Sequence, residues 1–169
     1  MNMYDTYIFD LDGTLLSTLN DLAASCNYAL ENNGMPKRSI DEVRQFVGNG
    51  VKKLMERAIP DGLSNPLFDK TYQDFRQHYI KHNLDTTCPY DGVMDMLQEL
   101  HRRGKKVAVV SNKFYAATQD LCRHFFGEEL VPVAIGERED IRKKPAPDTV
   151  IEALRQLGAT ADGAVYIGD

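Results

Sequence analysis

Apolar positions along this chain follow two rhythms. Tyr7-Ile8-Phe9 and Lys106-Val107-Ala108-Val109-Val110-Ser111 are short, almost unbroken runs, the pattern of strands covered on both faces in a parallel sheet. Val131-Pro132-Val133-Ala134-Ile135 is a weaker run, with Pro132 against its centre, and Ala164-Val165-Tyr166-Ile167 is a last one running into Gly168-Asp169. After Leu16 the spacing turns helical. Leu19, Leu22, Ala23, Cys26, Ala29 and Leu30 form one stripe, stopped by Asn33-Gly34-Met35-Pro36. Ser39-Ile40-Asp41-Glu42 has the form of a capping box that opens a second helix. Beyond the break at Gly48-Asn49-Gly50, a third stripe runs through Val51, Leu54, Met55, Ala58 and Ile59. Pro66 is placed to start a fourth helix, whose stripe is Phe68, Tyr72, Phe75, Tyr79 and His82.

From Pro89 helices and strands alternate. Val93, Met96, Leu97 and Leu100 mark a helix ending at Gly104, a second spans about Tyr115 to Phe126 and ends at Gly127, and a third runs from Pro147 to Leu157. Strands alternating with helices of this length predict an α/β fold with a parallel sheet, split after its first strand by a helical insertion. The boundaries fall at residues 1–15 and 89–169 for the α/β core and 16–88 for the helical part.

With 169 residues the chain can bury a sizeable interior. A net charge of −5 and only paired lysines, such as Lys52-Lys53 and Lys143-Lys144, argue against nucleic acid or an anionic membrane as partner. No uncharged apolar run reaches membrane-spanning length and no basic, apolar leader precedes the first strand, so the sequence reads as cytoplasmic. Cys26, Cys88 and Cys122 are odd in number and widely spaced, which suits reduced thiols. His78 and His82 stand four apart on a helix, but without a glutamate or cysteines beside them the pattern of a zinc site is incomplete.

The chemistry concentrates at the ends of the expected strands, where open α/β sheets bind ligands. Asp10 and Asp12 stand two apart at the end of the first run, so an extended backbone sends both to one side. Two carboxylates that close are costly unless a cation or a shared proton relieves them. Asp12-Gly13 alone also reads as a turn, Ser111-Asn112 as a helix-capping pair, and Lys143-Lys144 as solvated charge. Occurring together at four strand ends, the clusters Asp10/Asp12, Ser111-Asn112-Lys113, Lys143-Lys144-Pro145 and Gly168-Asp169 favour catalysis.

On these residues the chain resembles the haloacid-dehalogenase-type (HAD) phosphatase superfamily. Asp10-Leu11-Asp12-Gly13-Thr14-Leu15 is similar to its first signature, Val109-Val110-Ser111-Asn112-Lys113 to its second, Lys144-Pro145-Ala146-Pro147-Asp148 to its third, and Tyr166-Ile167-Gly168-Asp169 to the start of its fourth. The helical insertion with Val47-Gly48-Asn49-Gly50, and Pro89-Tyr90-Asp91-Gly92-Val93, resemble the phosphoglycolate phosphatase-like branch. The resemblance implies a Rossmannoid parallel sheet with an inserted α-helical cap and Mg²⁺-dependent hydrolysis of a small phosphorylated metabolite. Asp10 would be the nucleophile that forms a phosphoaspartate, and Asp12 the general acid and base. Asp10, the Asp12 carbonyl and Asp169 would hold Mg²⁺. Ser111, Asn112 and Lys144 would bind the phosphoryl group, with Lys144 also balancing charge on the nucleophile. A phosphomutase of the same superfamily, β-phosphoglucomutase-like, or a non-catalytic phosphate- or metal-binding module are the alternative readings. The fourth signature normally continues to a second acid and further sheet, so the C-terminal part of the core is expected to be missing.

Overall fold

The computed structural model describes residues 4–168. In chain order the elements are β1 (Thr6–Phe9), β2 (Leu16–Ser17), α1 (Leu19–Asn32), α2 (Ile40–Phe46), α3 (Val51–Ala58), α4 (Phe68–His82), β3 (Cys88–Pro89), α5 (Val93–Arg102), β4 (Lys106–Phe114), α6 (Tyr115–Phe125), α7 (Gly127–Leu130), β5 (Val133–Glu137), α8 (Asp148–Leu157) and β6 (Ala164–Ile167). The chain divides into two compact units. One holds everything up to Ser17 and from Cys88 onward, the other is Thr18–Thr87. No helix among the described residues is long and apolar enough to cross a membrane.

The first unit is built on a wholly parallel sheet in the order β5-β4-β1-β6. Both of its faces are covered, which is why its strands are apolar without clean alternation. Phe9, Val107 and Val109 pack on one side with Val93, Leu97, Leu121 and Cys122, from α5 and α6. Ile8, Ala108 and Val110 pack on the other with Ala153 and Leu154 of α8. Met96, one of the residues that mark α5 in the sequence, is 36% exposed. A second, two-residue sheet pairs β2 with β3 antiparallel, Leu16 opposite Pro89 and Ser17 opposite Cys88. A two-residue strand carries no readable periodicity, and the sequence gives no sign of this pair.

Three boundaries differ from the sequence reading. β5 begins after Pro132, which has no N–H to give to the ladder. β4 runs on through Phe114 with a register shift between Val110 and Phe114, so Ser111 and Asn112 lie in an irregular strand and do not cap α6. The fourth helix starts at Phe68 rather than Pro66, because the Asn65 side chain accepts the Leu67 N–H at 2.9 Å and closes a turn ahead of it.

The second unit packs α1 chiefly on α4. All five residues of the α3 stripe are buried, as are Phe68, Phe75 and Tyr79 of α4. The capping box forms: Ser39 Oγ accepts the Glu42 N–H at 3.2 Å and Glu42 accepts the Ser39 N–H at 2.8 Å. Arg57 donates to the Phe46 carbonyl and to Asn49, both at 2.9 Å, which fixes the Gly48-Asn49-Gly50 turn. Asp21, buried in the first turn of α1, accepts hydrogen bonds from the N–H and hydroxyl of both Thr86 and Thr87 at 2.6–3.1 Å.

Candidate active site

β1 ends at Phe9, and the Asp10 N–H continues its ladder by donating to the Ile167 carbonyl of β6 at 2.9 Å. The chain then turns, with Leu15 and Leu16 N–H both donating back to the Leu11 carbonyl. This sets Asp10 and Asp12 at the carboxyl edge of the sheet, each only 15% exposed.

Each carboxylate meets its own lysine. Lys144 Nζ lies 3.0 Å from Asp10 Oδ1. Lys113 Nζ, at the end of a side chain 1% exposed, lies 2.9 Å from Asp12 Oδ1. The repulsion expected of two close carboxylates is therefore offset by two cations from different strand ends. Burial pushes the Asp10 carboxyl up; Lys144 and the Leu11 N–H, which donates to Oδ1 at 2.7 Å, pull it back, and Asp12 adds to the rise. The net displacement is upward.

The second and third clusters meet around these pairs. Ser111 Oγ accepts the Lys113 N–H at 3.1 Å, and the Asn112 side-chain amide donates to the Lys144 carbonyl at 3.1 Å. Asn112 thus fastens the segment that carries Lys144, whose bond to Pro145 is cis. Within the lysine pair the two partners diverge, since Lys143 faces Glu137 at 3.1 Å while Lys144 faces Asp10. Gly136 makes the turn after Ser111 fit: a Cβ there would stand 2.7 Å from the Lys113 carbonyl, from Thr118 Oγ1 and from Tyr115 Cα.

Two residues at this site received no role from the sequence. Lys113 stands inside the second cluster, yet only the bulge in β4 turns it toward Asp12. Tyr166 stands in the fourth, and its hydroxyl accepts from Lys144 Nζ at 2.8 Å. Asp169, the expected third metal ligand, lies outside the described residues. Among the described residues no three His, Cys, Asp or Glu side chains gather as a metal cluster. The donors present, the Asp10 carboxylate and the Asp12 carbonyl beside it, are hard oxygens, and Mg²⁺ commonly takes one or two carboxylates with water and substrate phosphate completing its shell. The donor set fits that ion.

The family model of haloacid dehalogenase-like hydrolases matches residues 7–169. The phosphoglycolate phosphatase of Aquifex aeolicus (strain VF5) is 31% identical over 163 residues, covering 96% of this chain and 74% of that protein. That of Cereibacter sphaeroides is 32% identical over 168 residues, covering 96% and 75%. A crystal structure from Haemophilus somnus 129pt, described as a predicted phosphoglycolate phosphatase, superimposes with a TM-score of 0.92 at 28% identity, covering 100% of this chain and 78% of that one. The family model spans nearly the whole of the chain: the chain belongs to the haloacid dehalogenase-like hydrolases.

Proposed function

We propose that the protein is a Mg²⁺-dependent phosphatase of a small phosphorylated metabolite, of the phosphoglycolate type, acting through a phosphoaspartate at Asp10. The observation that carries this reading is the pair of aspartates two residues apart at the end of β1, each held by its own lysine. Similarity to phosphoglycolate phosphatases supports it and suggests the substrate.

A phosphate monoester is slow to hydrolyse because its charge repels nucleophiles, so the site must position and neutralise. The Leu11 N–H and the Lys144 ammonium both meet Asp10 Oδ1, which favours Oδ2 as the oxygen that attacks phosphorus. The bond to the leaving alcohol breaks as Asp12 gives that oxygen a proton; Asp12 then takes a proton from the water that cleaves the acyl phosphate and restores Asp10. Ser111 Oγ and the Asn112 N–H are assigned to phosphate oxygens, and Lys144 spans nucleophile and phosphoryl group. Asp10, the Asp12 carbonyl and Asp169 would hold Mg²⁺, which would supply positive charge against the approach of two anions.

The test is phosphate release from a panel of phosphorylated metabolites. Phosphoglycolate turnover should require Mg²⁺, stop with a chelator, and fall by at least about a thousandfold in Asp10→Asn with the circular dichroism unchanged. Undiminished hydrolysis by Asp10→Asn would remove that residue from the mechanism. Interconversion of hexose phosphates would favour the mutase reading, and no turnover of any ester the binding module.

A further inference from the structure

Lys144 stands on a loop, yet the mechanism needs its ammonium held on Asp10. A lysine carries four rotatable bonds and loses much freedom when fixed. Something must therefore hold the ammonium. Asn112 secures the Lys144 backbone. The ammonium itself meets Asp10 Oδ1 at 3.0 Å and the Tyr166 hydroxyl at 2.8 Å. It also lies 5.4 Å from the centroid of the Tyr166 ring, within cation–π range.

Tyr166 is well anchored for that task. It pairs with Ile8 in the β1–β6 register, and Ile8 lies two residues before Asp10. Partners in a parallel ladder point to one face, and so do residues two apart, so Tyr166 and Asp10 share the face covered by α8. The segment carrying Lys144 leads into that helix. Gly168 then lets the three approach: a Cβ on it would stand 2.9 Å from the Asp10 Cβ and 3.0 Å from the Tyr166 hydroxyl.

From this geometry we infer that Tyr166 is a positioning residue: its hydroxyl and ring face fix the Lys144 ammonium against Asp10 in the nucleophile's working geometry. The inference rests on the phosphatase reading for its kinetic consequence and on geometry alone for its structural one.

Tyr166→Phe keeps the ring and the strand and removes only the hydroxyl. It should lower kcat for phosphoglycolate about tenfold, the scale of one hydrogen bond to a charged group. KM and the thermal midpoint should stay close to wild type. In a Lys144→Met background the same change should cost nothing further, because the lysine it serves is gone. A crystal structure of Tyr166→Phe should show the ammonium withdrawn from Asp10. Unchanged kcat, losses that multiply in the double variant, or Lys144 still seated on Asp10 in the crystal would each overturn the assignment. If the wild-type chain turns over no phosphate ester, the phosphatase reading fails by itself, and the crystallographic comparison still decides the role of Tyr166.

Discussion

Burial decides how each reactive side chain behaves. Cys26 and Cys122 are enclosed, and burial pushes both thiols up to about 12, so neither forms appreciable thiolate near neutrality. Cys88 is exposed. A thiol-specific chromogenic reagent should therefore count a single fast-reacting cysteine in the native protein and all three after unfolding, and more than one fast thiol would contradict this packing. The same burial explains which site residues the sequence could reveal. Asp10, Asp12, Ser111 and Lys144 stand in short signatures whose order is itself the signal. The choice of Lys144 over Lys143 came only from family resemblance, since adjacent lysines look alike until one meets Asp10 and the other Glu137. Lys113 was invisible as a partner of Asp12 because its direction depends on a bulge set by β5 and Gly136.

Among elements, those specified by near neighbours were the ones legible in advance. The Ser39/Glu42 box needs partners three residues apart and was plain; the β2–β3 pair joins residues some seventy positions apart and left no trace. The Asp21 clasp is of the second kind. Its burial pushes the carboxyl up, but the N–H and hydroxyl donors of Thr86 and Thr87 outweigh that and hold it below the usual carboxylate range. Asp21→Ala would leave the buried Thr87 N–H without its acceptor and should cost about 2–4 kcal/mol in urea unfolding. A loss under about 0.5 kcal/mol, the range of ordinary surface changes, would show that the clasp is dispensable. His78 gives the same unit a pH dependence. Its Nδ1 lies 2.9 Å from Ser25 Oγ, and its ring stacks on Tyr28 and on His82, which meets Asp85 at 2.8 Å. Burial and then the charge of His82 push His78 below its ordinary 6.5, with Asp85 opposing. The unfolded chain thus binds a proton in a window just below 6.5 where the folded protein does not, so stability is full above that value and falls as pH drops through the window. The thermal midpoint should decline from about pH 7 to about pH 5, and His78→Gln should flatten part of the decline.

For the whole molecule, the pairing of Ser17 with Cys88 brings both crossings out of the sheet unit to neighbouring positions. Replacing 18–87 with Asn-Gly, a two-residue turn suited to joining antiparallel strands, should give a soluble chain that keeps its sheet by circular dichroism and unfolds cooperatively. A product without cooperative unfolding would show that the first unit is not self-sufficient. The pairing of charges at the strand ends reaches further than the site. Asp10, Asp12, Lys113 and Lys144 sum to zero on a protein whose net charge is −5. Without metal such a centre casts little field of its own, so under the proposed mechanism the net attraction for a phosphate dianion would come with bound Mg²⁺. The metal-free chain should then bind inorganic phosphate weakly, and added salt, which shortens the reach of the acidic surface to about 10 Å at 0.1 M, should not restore the affinity that the ion supplies.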